Sequence, residues 1–322
     1  MITCYTNRDM LIGRGSAVVF SWYIVAYLFL AGAGGGAFFA AASACVWDAV
    51  RRSDASERLA RTCQAGFYAA PCLMVLAAVF LLLDLGNAER AWLVAVMPFQ
   101  SVMSVGAWLV ALLTAASGAL ALYGLIAGSV PRAFQWACCV VGGVCAVGVM
   151  GYTGLLLSDM VSIDFWHTPW LIALFVVSSL SCGVAAIVTL DAALAPPSYD
   201  VSAALWRAGA ALGVIEACVL AAFLLTQAGF TETARASCDL LLTGSLAPAF
   251  WGGVCTLGLA VPLAVHAASG LMPLRPAMLG SSTCVLVGGL LLRYCIVARR
   301  PSRRWPWVRY DEERTQDMFG RF

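Results

Sequence analysis

Long apolar runs recur along the whole chain and are separated by short segments that carry Arg, Asp, Glu and Pro. Each run has the roughly 20 residues that a helix needs to cross a hydrocarbon core about 30 Å thick. The pattern predicts an all-α integral membrane protein, a bundle of about eight transmembrane helices within residues 1–298, followed by a basic C-terminal tail at 299–322. The spans are expected at about 17–46, 66–85, 102–127, 134–157, 169–190, 203–227, 244–268 and 277–297.

The composition agrees with a membrane protein and excludes several functions. Of 322 residues, 62% are hydrophobic and 11% are charged, against about 25% charged in an ordinary soluble domain. The net charge is +2, and no basic tract precedes the tail, so nothing suggests nucleic-acid binding. All 19 basic residues are Arg, which excludes Schiff-base chemistry and a phosphate-loop lysine.

The cysteines and histidines argue against resident redox centres. None of the 13 Cys forms a Cys-x-x-Cys pair, so there is no ferredoxin or zinc-knuckle motif. A membrane-bound haem usually has a pair of His ligands at the same depth. The two histidines, His167 and His266, fall on opposite faces of the predicted bundle. We expect no haem, no iron-sulfur cluster and no metal site in this chain.

An even number of spans places both termini on one side of the membrane, here named face A, and the opposite side is face B. Face A collects the N-terminus, the loops near Asn87, Asp164 and Thr233, and the tail. By the positive-inside rule, the basic first loop of face B predicts that face B is cytoplasmic and the termini extracytoplasmic, in a bacterial or archaeal cytoplasmic membrane. The tail opposes this orientation, because its Arg residues include Arg299, Arg300, Arg303, Arg304 and Arg309. We expect a partner to hold it.

Few charged side chains fall well inside the predicted spans, where they are costly. Glu216 lies near the middle of the sixth span, where it could carry protons or make a structural hydrogen bond to a neighbouring helix. His266 lies toward the B end of the seventh span; it is either a structural histidine or, with Glu216, part of a proton route from face B. Arg293 lies near the A end of the last span and is expected to reach the interface.

Polar residues concentrate at face A. Asp84 ends the second span, Tyr152 and Asp159 lie toward the A end of the fourth, and His167 precedes the fifth. Aromatic residues at this depth also fit an interfacial belt. Taken together, a phenol, an imidazole and carboxylates beside an apolar slot suit a hydrophobic redox ring whose two oxygens exchange protons.

Five ordered segments carry a family resemblance that covers nearly the whole chain. They are YLFLAGAGGGAF at 27–38, LLLDLGNAER at 81–90, YTGLLL at 152–157, WHTPWLIALFVVSSLSCG at 166–183 and LLTGSLAPAFWGGVCTLGLAVPL at 241–263. Together they resemble the NrfD and polysulfide-reductase membrane-subunit family.

The resemblance implies a haemless eight-helix anchor that exchanges electrons between membrane menaquinone or ubiquinone and a four-cluster ferredoxin-like iron-sulfur subunit, which serves a molybdopterin catalytic subunit. It places Tyr152 at the quinone and face A against the iron-sulfur protein. The family has an acidic turn after the second span, and this sequence has its Asp and Arg as Asp84 and Arg90. His167, Asp159 and Asp84 join the quinone site from their position alone. In that turn Ala88 replaces the family's usual proline, and His167 stands where relatives vary.

A secondary transporter or a proton-translocating membrane subunit that uses Glu216 is the alternative. Transporters are also helical bundles with a charge at mid-membrane, and they usually show paired, interrupted helices around a central site. Here the polar residues gather at one face instead. The direction of electron flow and the terminal substrate do not follow from the sequence.

Overall fold

The computed structural model describes residues 22–51, 56–84, 102–128, 130–159, 165–194, 199–269 and 273–298. In this part of the chain every regular element is helical. In chain order the helices are α1 (Trp22–Arg51), α2 (Ser56–Asp84), α3 (Val102–Ala127), α4 (Arg132–Ser158), α5 (Pro169–Leu194), α6 (Tyr199–Phe230), α7 (Glu232–Leu242), a π-helix (Ala249–Ala260) that continues into α8 (Val261–Ala267), and α9 (Leu274–Val297).

Eight of these helical segments are long and apolar enough to cross a bilayer, which confirms the predicted all-α membrane bundle. Several helices are longer than the apolar runs that predicted them: α2 begins at Ser56 and α6 extends from Tyr199 to Phe230. The apolar run marks only the segment within hydrocarbon, whereas the helix continues through the polar headgroup layer. The basic tail at 299–322 lies outside the described residues.

The helices α1 and α5 form the centre of the bundle. Helix α1 packs against α2, α4 and α5, and α5 packs in addition against α6 and α9. Their backbones approach closely, because a Cβ at Gly36 would overlap the Ser179 carbonyl and a Cβ at Gly183 would overlap α1 at Ala37. Such small-residue contacts let dispersion forces hold helices together in lipid, where the hydrophobic effect gives no drive.

Two elements near the seventh span differ from the sequence expectation. The segment near Thr233, expected as a loop, contains helix α7, and the Thr231 hydroxyl caps its N-terminus by accepting a hydrogen bond from the Ala234 amide at 3.1 Å. The seventh span itself begins as a π-helix at Ala249 rather than at 244. π-Helical segments are rare in proteins, and those that occur often lie at functional sites.

Candidate functional site

Tyr152 lies on α4, six residues before the helix ends at Ser158. At 1.5 Å per residue its Cα is about 9 Å below the A end of the helix. The side chain is only 5% exposed. Helix α3 packs directly over its ring, because a Cβ added at Gly106 would overlap it. The phenol is therefore a fixed group inside the bundle and not a member of an interfacial belt.

Tyr27 of α1 faces Tyr152, and the sequence analysis did not single it out. Its side chain is 1% exposed, and the two phenol groups interact through their hydroxyls. Within the described chain, however, the Tyr27 hydroxyl has no partner at good hydrogen-bond geometry. Buried polar groups are nearly always hydrogen-bonded, so this hydroxyl is an available donor for a ligand oxygen.

His167 is held at face A by a well-anchored segment. The Trp166 indole is buried and donates to the Ile296 carbonyl of α9 at 3.2 Å, while the Gln227 amide of α6 donates to the Phe165 carbonyl at 3.0 Å. These bonds fix the chain immediately before the histidine. His167 itself is exposed, with Nδ1 3.2 Å from the Ser158 carbonyl at the end of α4.

The structure brings some of the predicted site residues together. Asp159 caps α4 beside the His167 contact and is exposed, so it shares the A end of this helix with Tyr152. Asp84 ends α2, which packs mainly against α1 and α3 rather than against α4. Arg90 lies outside the described residues. The roles of all these residues remain predictions.

Arg293 does not reach the interface, and that expectation was wrong. Its side chain is 0% exposed and points into the bundle. Nε donates to the Leu28 carbonyl of α1 at 3.2 Å. Nη1 and Nη2 donate to the hydroxyls of Ser178 and Ser179 on α5 at 3.2 and 3.0 Å. A charged side chain is buried only where hydrogen-bond partners such as these take the place of water.

Glu216 lies close to this buried cation and shares the Ser178 hydroxyl with it. It is 7% exposed, its carboxyl interacts with the hydroxyls of Ser178 and Ser181, and it lies within electrostatic range of Arg293. Both roles considered for Glu216 therefore stay open, since it contacts a neighbouring helix and also lies beside a charge. The sequence does not reveal Arg293 as a neighbour of Glu216, because it places Arg293 near the end of a span.

His266 lies at the B end of the seventh span, and its ring contacts Trp206 edge to face with 4.5 Å between centroids. His167 is beside the end of α4 at face A. The two histidines thus occupy opposite ends of the bundle, as expected.

Comparison with known proteins gives the family. The sequence profile described as "Polysulphide reductase, NrfD" matches residues 10–300. The polysulfide reductase C subunit of Wolinella succinogenes is 30% identical over 312 residues, which cover 88% of this chain and 94% of that protein. Protein NrfD of Escherichia coli is 34% identical over 161 residues, which cover 48% of this chain and 49% of that protein. The chain belongs to the polysulfide reductase (NrfD) family, as a multi-pass membrane subunit of an oxidoreductase.

Proposed function

We propose that this subunit exchanges electrons between a membrane quinol or quinone, either menaquinone or ubiquinone, and an iron-sulfur partner bound at face A. That partner, a four-cluster ferredoxin-like protein, would pass electrons to or from a molybdopterin catalytic subunit. The observation that carries the proposal is the buried phenol pair of Tyr27 and Tyr152. Both hydroxyls are fixed inside the bundle, and within the described chain the Tyr27 hydroxyl has no well-placed hydrogen-bond partner.

The phenol pair suits a quinone head group chemically. One quinone oxygen can accept from the Tyr27 hydroxyl, and Tyr152, held by the α3 backbone at Gly106, can fix the ring's position. The surroundings are apolar, as a ring with an isoprenoid tail requires. The protein contributes orientation and proton acceptors, while the redox chemistry belongs to the quinone.

The proton and electron balance follows from the reaction. Quinol oxidation removes two electrons from the ring and breaks one O–H bond at each of the two oxygens. The electrons leave to the partner at face A, and the two protons leave through His167 and Asp159, which are both exposed at the A end of α4. Quinone reduction reverses each step at the same site.

Orientation and location complete the proposal. We place the protein in the cytoplasmic membrane of a bacterium or archaeon, with face B in the cytoplasm and face A outside, on the argument from the distribution of Arg. The exposed residues Asp159 and His167 and the short helix α7 then belong to the face that receives the iron-sulfur protein. The family match favours this role over a secondary transporter.

The test is Tyr152→Phe in the purified, assembled complex. We expect quinol-dependent electron delivery to fall about 10²-fold, while the catalytic subunit keeps its normal rate with an artificial dye. Tyr123→Phe is the matched control, because Tyr123 is an exposed tyrosine on α3 that packs against Phe134 with 5.5 Å between ring centroids. Unchanged quinol turnover in Tyr152→Phe would remove Tyr152 from the site.

A further inference from the structure

A narrow cavity lies between α5, α6, the seventh span and α9, in the half of the bundle toward face B, and the proposed electron transfer does not use it. Its volume is about 30 Å³, close to the share of one water molecule in liquid water, so a quinone ring does not fit. The walls are mostly apolar, and α6 contributes small residues and one tryptophan: Trp206, Gly209, Ala210 and Gly213. A ligand that fits here is narrow and apolar.

The seam between α6 and the seventh span connects this cavity with the lipid. Helix α6 packs along α5, and the seventh span packs along α9, but α6 and the seventh span make few contacts with each other. A Cβ at Gly213 of α6 would be 3.8 Å from the Leu263 side chain, so the seam is not filled at this level. Val214 and Ile215 of α6 are exposed. The cavity and the seam together form a groove, here named the α6 groove, that can take one hydrocarbon chain.

Two arginines lie at the face-B end of the α6 groove. Arg207 is exposed and lies about 160° around the helix axis from Gly209. A Cβ at Gly209 would be 3.4 Å from Val184 of α5, so Arg207 is on the side of α6 that is turned away from α5. Arg275 is exposed in the first turn of α9, and its Nε donates to the Ala192 carbonyl at the end of α5 at 3.0 Å. This end of the groove is therefore basic.

The neighbouring acidic residue does not cancel this charge at the surface. Asp191 precedes Ala192 and is only 8% exposed, whereas both arginine side chains are exposed. A guanidinium has five N–H donors, so each arginine can keep a protein acceptor and still bind a phosphate oxygen. An anionic group that approaches the groove from face B meets these cations first.

The distance from the arginines to the cavity matches the dimensions of a phospholipid. Gly213 is six positions after Arg207 and Ser281 is six positions after Arg275, which is about 9 Å along each helix. The headgroup layer takes up about 5–8 Å on each side of the hydrocarbon core. A phosphate at the arginines therefore places the first part of an acyl chain at the cavity.

His266 offers a donor at the depth of the lipid's ester groups. Within the described chain its Nδ1 is buried without a hydrogen-bond partner, and its ring lines the cavity beside Trp206. Ester carbonyl oxygens lie between the phosphate and the acyl chains, and the tautomer with its hydrogen on Nδ1 can donate to one of them. A phospholipid in the groove therefore satisfies a polar atom that the described chain leaves unpaired.

We propose that the α6 groove binds one anionic phospholipid of the face-B leaflet. Its phosphate contacts Arg207, and Arg275 adds positive charge at the same end. One ester carbonyl accepts a hydrogen bond from His266, and one acyl chain lies in the seam against Gly213 and Leu263. Basic pockets between transmembrane helices are a known mode of recognition for anionic head groups. The proposal depends on the fold alone and is independent of the quinone chemistry.

The experiment is native mass spectrometry of the purified, delipidated complex, titrated with phosphatidylglycerol or with phosphatidylcholine of the same acyl chains. Bound lipid is counted on this subunit after its release from the complex in the gas phase. We expect one phosphatidylglycerol per subunit, bound more tightly than phosphatidylcholine by about fivefold for each arginine. Arg207→Gln should reduce this preference about fivefold. Arg132→Gln is the matched control, because Arg132 is equally exposed but begins α4, and its preference should be unchanged.

A second variant fills the groove and leaves both arginines in place. Gly213→Leu puts a side chain where the acyl chain would lie, so the subunit should lose its bound phosphatidylglycerol. Gly143→Leu on α4 is the control, because its Cβ would meet nothing within 4 Å, and it should keep the lipid. An excess of inorganic phosphate should not displace the lipid, since the acyl chain supplies part of the binding.

Three results overturn the proposal. The first is equal affinity of the native subunit for the two lipids, or a preference that Arg132→Gln reduces as much as Arg207→Gln does. The second is a Gly213→Leu subunit that binds phosphatidylglycerol as the native one does. The third is displacement of the lipid by inorganic phosphate, which would make the basic end a site for free anions. None of these measurements depends on quinol turnover, so their failure leaves the proposed function untouched.

Discussion

Arg293 and the neighbouring buried Glu216 permit a quantitative prediction. The perturbation is Arg293→Met, which keeps an unbranched side chain of similar length but removes the charge and all donors. In the native protein the guanidinium is fully buried and donates to carbonyl and hydroxyl oxygens of α1, α5 and α9. Its Cζ lies 5.4 Å from the centre of the Phe175 ring, within the range of a cation–π contact.

The expected cost comes mainly from the charge that remains. Removing one partner of a buried ion pair leaves the other without compensation and costs about 3–5 kcal/mol. Replacing both partners by apolar side chains of similar volume is often neutral. Arg293→Met alone should therefore lower the free energy of unfolding by about 3–5 kcal/mol, whereas the double variant with Glu216→Met should lose much less.

The assay is reversible unfolding of the purified subunit in mixed detergent micelles, followed by circular dichroism. Arg235→Met is the matched control: Arg235 is exposed on α7 and donates a hydrogen bond to the Ala228 carbonyl at 3.1 Å, so its change should stay within about 0.5 kcal/mol. The coupling between the two positions is read from the double-mutant cycle. Costs that simply add in the double variant would falsify the reasoning, because they would mean that the two charges do not compensate each other.

Two further predictions concern glycines at close contacts. Gly106→Ala places a methyl group where the Tyr152 ring lies, so quinol turnover should fall while the dye activity of the complex stays intact. Gly151→Ala is the control, because its Cβ meets nothing within 4 Å, and it should keep its turnover. Equal turnover in both variants would contradict the placement of the ring. Gly36→Ala forces α1 away from α5 and should lower the free energy of unfolding by about 1–3 kcal/mol or more in the same assay. Gly118→Ala is the control, because its methyl group points into open space, and it should be neutral or slightly stabilising. A neutral Gly36→Ala would refute the close approach of the two helices.

The spans were predictable because a bilayer imposes one simple requirement on the chain. A run of apolar residues of sufficient length has to be a helix in lipid, and all eight runs became helices. The short helix α7 was missed because its apolar residues alternate with polar ones and resemble a loop in a hydropathy profile. Its N-cap Thr231 and the acidic Glu232 in its first turn were local signals that could have identified it.

The candidate site was predictable only in part, because hydropathy gives depth but not rotation about the helix axis. Arg293 has the depth of an interfacial residue, and its inward direction depends on the hydroxyls that α5 presents at Ser178 and Ser179. Tyr27 lies in an apolar run and resembles a belt aromatic until α4 brings Tyr152 against it. Contacts of this kind join residues far apart in sequence, and no local pattern contains them.

The most direct test of the central claim is to map a bound quinone in the assembled complex with a photoreactive azidoquinone and mass spectrometry. The account predicts labelling of the A end of α4, around 152–158, and of α1 around Tyr27, and it predicts that excess unmodified quinone suppresses both labels. Labelling confined to the B end of the bundle near His266, or labelling that excess quinone does not suppress, would contradict a quinone site at the phenol pair.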